Sequence, residues 1–437
     1  MTFRKTIPLI LFLLTQAAAA LPAQTDSLAL SLAQLFEQGV AQSLRLRADA
    51  LKQEAADEQW RAARAAQLPD VQVGARAGIV GQPLIWERGL AGVTRPDIPD
   101  WMQNYSLDFQ QPIYQGGRLR GTIRKANLER ETAQWQTSAD RATLKLGLLT
   151  YYLNLFTLFK EHEVLTRNIE EAEQRLANIQ RMKREGLITD NDVLRSQMQL
   201  TNDRLALQET ENSITLASQQ ITVLLGIDEQ LIVKPDTTLL HRVGLLRPYQ
   251  SYIDEAYLNE PEMRLAALQT ELARTNLQLS QAALRPGLSL TASNTLARPV
   301  SRTLADMYNN NWNIGLSLNY PLSALYKSRH PVRRSRLLVL LQQTAQEQEK
   351  QQIRIAVRTA YLRHQEALQR VDALMLSVRQ AKENYRIMQN RYLNQLVILT
   401  DLLDASTVRL NAELQLVRAR TQLLYTYYQL QKICGLL

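Results

Sequence analysis

Apolar positions along this chain follow two rhythms that alternate twice. Residues 148, 151, 155, 158, 162, 165, 169, 172, 176 and 179 step by three and four and read Leu, Tyr, Leu, Leu, His, Leu, Ile, Ala, Leu and Ile. That is the seam of a long helix packed in coiled-coil fashion. A shift of 209 gives the same seam again, through Val357, Ala360, His364, Ala367, Val371, Leu374, Val378, Ala381, Tyr385 and Met388. The shift also relates Pro112 to Pro321, Gly186 to Gln395 and Asp192 to Asp401, so the chain contains an internal repeat.

The second rhythm has period two and precedes each long seam. Its apolar positions are Val71, Val73, Ala75, Ala77 and Ile79, then Tyr105, Leu107 and Phe109; in the second copy they are Leu288, Leu290, Ala292 and Leu296, then Trp312, Ile314, Leu316, Leu318 and Tyr320. Gln72, Arg76, Asp108, Ser289, Thr291, Ser293, Asn313, Ser317 and Asn319 fall between them. Alternation predicts strands with one apolar and one polar face. Either these are ordinary half-buried hairpins, or, with Trp101, Tyr105, Trp312 and Tyr320 near strand ends, they are the wall of a membrane barrel. Pro69, Pro112, Pro286 and Pro321 mark the four junctions between helix and strand.

Element lengths support a common plan. The first long helix, about Gly117 to Arg184, spans roughly 100 Å. A return helix from Thr189 carries Val193, Leu200, Leu207, Ile214 and Ile221 and stops at Gly226 at about half that length. A helix from about Ser251 to Leu284 supplies the other half. In the second copy the C-terminal helix (Leu403, Leu410, Val417, Leu424) and an N-terminal helix from Leu28 to Gln67 do the same. The expected organisation is a leader, 1–23; a first repeat, 24–226, with its hairpin at 71–112; an equatorial linker, 227–250; and a second repeat, 251–437, with its hairpin at 287–321.

Composition narrows the class. Only 16 Gly and 14 Pro interrupt 437 residues, which suits long elements. The start, MTFRKTIPLILFLLTQAAAALPAQT, has a basic end, a short apolar core and an alanine-rich stretch, and reads as a secretory signal cleaved after Ala20 or Ala23. Its removal takes the formal charge from +9 to about +7 (9 minus the two bases Arg4 and Lys5). Beyond it no run reaches the roughly 18 apolar residues of a spanning helix. Cys434 is the single cysteine, and the four histidines are scattered without ligand spacing, so no metal, redox or other cofactor framework is visible.

Four strands cannot close a membrane barrel, since such barrels begin at about eight. A trimer supplies twelve and continues below the membrane as twelve helix positions around one axis. The stretches QPIYQGGRLR, REGLITDNDVLRSQ and NRYLNQLVILTDLLDAS, in a duplicated strand-pair and long-helix order, resemble the TolC-like outer-membrane efflux family over essentially the whole mature chain. The resemblance implies a mainly α protein with a small membrane β-barrel. It implies a homotrimer acting as exit duct of a tripartite efflux pump or a type I secretion system, with a periplasmic adaptor and an inner-membrane transporter as partners. The alternative is a periplasmic coiled-coil adaptor, which would share the heptads and the leader but lack the duplicated amphipathic hairpins.

By that resemblance the turns containing Gly186, Leu187, Thr189 and Asp190, and Gln395 and Leu396, are the periplasmic tips where the adaptor docks. Asp401 and Asp404 match paired aspartates that ring the periplasmic entrance. Gln395 replaces the glycine usual at the second tip, and Val397 stands where some members carry an arginine that helps lock the closed state. Plain helix capping competes with these roles: Thr189 with Asp192 forms a Ser/Thr-x-x-acid box, and Asp401 could cap the turn before Leu402. Arg118, Arg120, Arg124 and Lys125, with Lys327, Arg329, Arg333 and Arg334, are either a solvated helix face or a positive collar at the lipid headgroups; secretion argues against nucleic acid. No nucleophile, metal-ligand set or phosphate loop accompanies the aspartates, so the sequence offers no ground for an enzyme.

Overall fold

The structure is a computed structural model that describes residues 27–437 except 80, 83, 87, 91, 96–98, 237–245 and 301–304. The expected leader lies outside the described residues. The first half runs β1 (Ser27–Leu30), α1 (Leu32–Gln42), α2 (Leu44–Ala65), β2 (Asp70–Ile79), β3 (Ile85–Trp86), β4 (Val93–Thr94), β5 (Trp101–Gln115), α3 (Arg118–Arg184) and α4 (Asp190–Leu225). The second runs β6 (Ile232–Pro235), α5 (Tyr249–Asn259), α6 (Pro261–Ala282), β7 (Gly287–Arg298), β8 (Asn309–Asn319), α7 (Ala324–Lys327), α8 (Arg329–Leu393) and α9 (Leu399–Ile433).

The duplication is plain in the lengths. Helices α1 and α5 have 11 residues each, α2 and α6 have 22 each, α3 and α8 have 67 and 65, and α4 and α9 have 36 and 35. One shift does not serve throughout, however. Ahead of the hairpins it is 217 (Leu44 to Pro261, Asp70 to Gly287), and beyond them 209 (Asp190 to Leu399). The first hairpin is therefore eight residues longer (217 minus 209) and carries the additional β3–β4 ribbon.

The heptad seams are buried as their spacing predicts. Leu148, Leu155, Leu165, Ile169, Ala172 and Ile179 on α3, and Val357, Ala360, His364, Ala367 and Val371 on α8, are all under 9 % exposed. Tyr151 is an exception at 41 % exposed, and its neighbour Tyr152 is buried instead. The cause is local: at this level α3 meets α1, α4 and the β1–β6 ribbon together, so its buried arc is wider than a two-helix seam. The Tyr152 hydroxyl donates to the Leu30 carbonyl at 2.7 Å and accepts from the Asp236 N–H at 2.8 Å.

Two helices expected to be continuous are broken. Pro261 has no N–H and excludes a helical conformation at Glu260, which lies at φ −65°, ψ 123°, so α5 ends and α6 begins there. Ser43 separates α1 from α2 and accepts a hydrogen bond from the Leu46 N–H at 3.3 Å. The stretch expected as helix from Leu28 starts as a strand, β1, which pairs in parallel with β6 inside the 227–250 segment. These strands are four residues each and show no alternation long enough to read in the sequence.

Candidate functional site

The hairpins do not stand separately. They form one four-stranded sheet in the order β2-β5-β7-β8, antiparallel at every pairing. Register preserves the two faces across all four strands. Val71, Phe109, Ala292 and Ile314 form one transverse row, and Gln72, Asp108, Ser293 and Asn313 form the next. On the polar face the Asn313 amide donates to Ser293 Oγ at 2.8 Å. On the other, Val73 is 82 %, Trp312 73 % and Leu316 68 % exposed. So much bare apolar surface is intolerable against water and suited to lipid. Both edge strands, β2 and β8, leave one side of their backbone unpaired among the described residues of the chain.

The long helices start where the sheet ends. Gly116 and Gly117 turn the chain in the left-handed region, at φ 63° and 91°, and a Cβ on Gly116 would lie 2.7 Å from the Ala282 carbonyl. Only glycine makes this close passage. Arg118, Arg120 and Arg124 then lie exposed with Lys125 half-buried, and Lys327, Arg329, Arg333 and Arg334 are exposed at the corresponding level of the second repeat. Arg118 is held by Gln115 Oε1 at 2.8 Å, Arg124 pairs with Glu271 at 3.1 Å, and Lys125 with Glu129 at 3.7 Å.

At the far end, two turns are built alike. In each, the residue after the helix cap is left-handed, at φ 75° for Gly186 and 60° for Gln395. The Leu187 N–H bonds to the Met182 carbonyl at 3.0 Å and the Leu396 N–H to the Arg391 carbonyl at 2.9 Å, which satisfies the last carbonyls of both rods. Leu187 and Leu396 are 50 % and 71 % exposed. The Arg195 guanidinium joins the two hairpins through Thr400 Oγ1 at 2.7 Å.

The acidic pairs, which look alike in sequence, are not equivalent. Thr189 and Asp192 form a complete capping box, and Asp190 pairs with Lys183. The corresponding cap of α9 is Ile398, which has no side-chain acceptor, so Asp401 stands at the third helical position without a capping partner. Asp401 and Asp404 are exposed, and among the described residues neither carboxylate makes a hydrogen bond or an ion pair.

A buried polar network that the sequence does not announce lies above the two turns, where α3, α4, α8 and α9 meet. Arg175 donates to the Tyr385 hydroxyl at 3.0 Å and to Ser406 Oγ at 3.4 Å. Arg409 pairs with Glu171 at 2.5 Å, reaches Asn168 at 3.3 Å and lies 4.0 Å from the centre of the Tyr385 ring. Asn168 and Gln199 each donate to Asp203 at 2.9 Å; burial pushes the Asp203 carboxyl up, against those bonds and the Arg175 charge. The available signal was a polar heptad stripe on α4, Ser196, Asp203 and Thr210, one position round from the apolar one. His364 is similarly structural: it is 1 % exposed, bonds Thr426 Oγ1 at 2.9 Å, and burial lowers its pKa.

A sequence profile described as "Outer membrane efflux protein" matches residues 35–227 and 252–436, well over half of the chain. The chain belongs to the outer membrane efflux protein family. Among curated relatives it is 23 % identical over 335 residues to the pyoverdine export outer membrane protein OpmQ of Pseudomonas aeruginosa, covering 74 % of this chain and 68 % of that one. It is 22 % identical to the outer membrane protein TolC of Escherichia coli, covering 99 % and 87 %. The solved outer membrane protein VceC of Vibrio cholerae shares the fold with a TM-score of 0.76, at 19 % identity over 92 % of this chain and 96 % of that one. As a member of the outer membrane efflux protein family, the chain is an exit duct of efflux pumps in the outer membrane, with a large periplasmic portion. Proteins of this family are passive channels rather than enzymes, and they work with periplasmic adaptors and inner-membrane transporters.

Proposed function

We propose that three copies of the chain form one tunnel, leaving the cell through a twelve-stranded barrel and receiving its cargo through a ring of Asp401 and Asp404. The sheet carries this reading: it is two-faced, antiparallel throughout and free at both edges. Because β2 and β8 run in opposite directions, β8 of one copy meets β2 of the next as a further antiparallel pair. Two copies would give about eight strands, whose interior side chains alone fill, so three is the smallest number that leaves a watery bore.

In this arrangement the basic residues at the start of α3, at the end of α7 and at the start of α8 lie level with the inner-leaflet headgroups. Arg118, Arg120, Arg124, Lys125, Lys327, Arg329, Arg333 and Arg334 then form a collar against anionic lipid. Gly186, Leu187, Thr189, Asp190, Gln395 and Leu396 form the adaptor-docking tips; the exposure of Leu187 and Leu396 supports this. The leader, cleaved after Ala20 or Ala23, directs export. Asp401 and Asp404 share one side of α9 one turn apart, and threefold symmetry brings six unpartnered carboxylates together.

Planar-bilayer recordings test the entrance. Asp401→Asn with Asp404→Asn should lower cation preference and divalent-ion block while leaving thermal stability unchanged, and salt should weaken the wild-type effect. A double variant that loses stability yet keeps wild-type selectivity would reduce the aspartates to helix-end residues.

A further inference from the structure

Between α3, α8 and α9, above the tips, lies a cavity of about 430 Å³. Arg167, Arg175, Lys382, Arg386 and Arg409 line it, against two carboxylates, Glu171 and Glu413. Three of the five cations have acidic partners: Lys382 with Glu413 at 3.0 Å, Arg386 with Glu383 at 2.6 Å and Arg409 with Glu171 at 2.5 Å. Arg167 bonds a backbone carbonyl, that of Glu163, at 3.3 Å, and meets the Glu163 carboxylate only through space.

Arg175 is the telling member. It is 6 % exposed, its hydrogen bonds go to two neutral hydroxyls, and its enclosed Nε has no partner among the described residues. The nearby Asp203 has its oxygens occupied by Asn168 and Gln199 and reaches Arg175 only through space. Among the described residues the Nε of Arg409, whose side chain is 12 % exposed, has no hydrogen-bond partner either, nor has Glu171 Oε2, which meets Arg409 only as an ion pair. A buried guanidinium without an anion bonded to it is costly, and Arg175 beside Arg409 in the lining of one basic cavity forms a receptor for an oxygen anion.

We propose that this cavity binds one small tetrahedral oxoanion, of the phosphate or sulfate class, between Arg175 and Arg409, with Arg167 and Lys382 at its rim. The site is separate from the entrance aspartates. At about 100° per residue, Arg409 and Glu413 lie on the same face of α9 as Leu402, while Asp401 and Asp404 point roughly 100–160° away. The ligand would tie α3 to the α8–α9 hairpin, so its binding stiffens the lower end of the protomer whether or not the aspartates select ions.

Isothermal titration of the full chain in detergent, with sodium phosphate against sodium chloride at matched ionic strength, tests the site. The expected result is saturable phosphate binding at one per chain and a phosphate-dependent rise in melting temperature. Arg175→Gln should weaken binding at least about tenfold, and Arg167→Gln, exposed on the rim, should weaken it several-fold without changing the melting temperature in chloride. Phosphate heats equal to chloride heats in the wild-type protein would overturn the proposal, as would wild-type binding by Arg175→Gln. If Arg175→Gln fails to fold, the wild-type titration and the rim variant decide: undiminished binding by the rim variant also overturns it.

Discussion

Gln395 and Gly186 occupy the same left-handed turn position and differ by a side chain. An L-residue there costs about 1–2 kcal/mol, and glycine's extra freedom in the unfolded chain returns roughly 0.4–1 kcal/mol. Gln395→Gly should therefore stabilise each protomer by about 0.5–1 kcal/mol. Gly186→Val should destabilise by about 1–2 kcal/mol, although nothing lies within 4 Å of its new Cβ, so the penalty is purely conformational. Thermal melts measure both, and crosslinking from tip cysteines to the adaptor shows whether Gly186→Val also weakens docking. Glu260 makes a different prediction. It is 5 % exposed; burial, reinforced by the neighbouring Glu262 carboxylate, pushes its pKa up to about 8 against the pull of Lys432 at 3.5 Å. Burial pushes Glu262 up as well, but Glu260 and Lys432 outweigh it and its net shift is downward. Since the folded protein keeps the Glu260 proton and the unfolded chain releases it near 4.3, the stability it supplies is full below about pH 4.3 and lost as pH rises to about 8. Glu260→Gln should flatten this slope: melts at pH 4 should nearly coincide with wild type, and at pH 8.5 the variant should melt higher.

At the scale of elements, the two return helices start from unequal caps. Thr189→Ala removes the box that opens α4 and should cost about 1 kcal/mol. Ile398→Thr should add a comparable amount at α9 and draw Asp401 into a new box, so it should stabilise the tip while lowering cation selectivity; melts and single-channel recordings read the two effects separately. The long rods and the hairpins were legible in the sequence because their apolar spacing is sustained over many turns or many alternations. The return turns were legible from Gly186 and the Thr189 box. The breaks at Ser43 and Glu260 were harder to see, because apolar spacing carries on past them, although Pro261 marks the second. The β1–β6 ribbon was not visible, because its two strands lie about 200 residues apart in sequence and owe their pairing to the core around Tyr152. The Arg175–Arg409 network was missed for a related reason: burial there comes from the meeting of four helices, whereas each segment alone reads as a helix with an exposed basic face.

For the whole molecule, everything depends on how the sheet edges are satisfied. An unpaired strand edge facing hydrocarbon costs several kcal/mol per backbone group, so β2 and β8 must pair with something in the membrane. In a closed trimer each pairs with the next copy. The most direct measurement places single cysteines at Gly74 on β2 and Asn311 on β8, with their immediate neighbours scanned to find register, in a Cys434→Ser background. Oxidation of the detergent-extracted protein should link β8 of one copy to β2 of the next, and the denaturing-gel ladder should end at three chains, with the uncrosslinked complex at about three times the mass of one chain. A ladder that passes three, or a stable unlinked monomer at every register tried, would contradict the closed trimeric barrel.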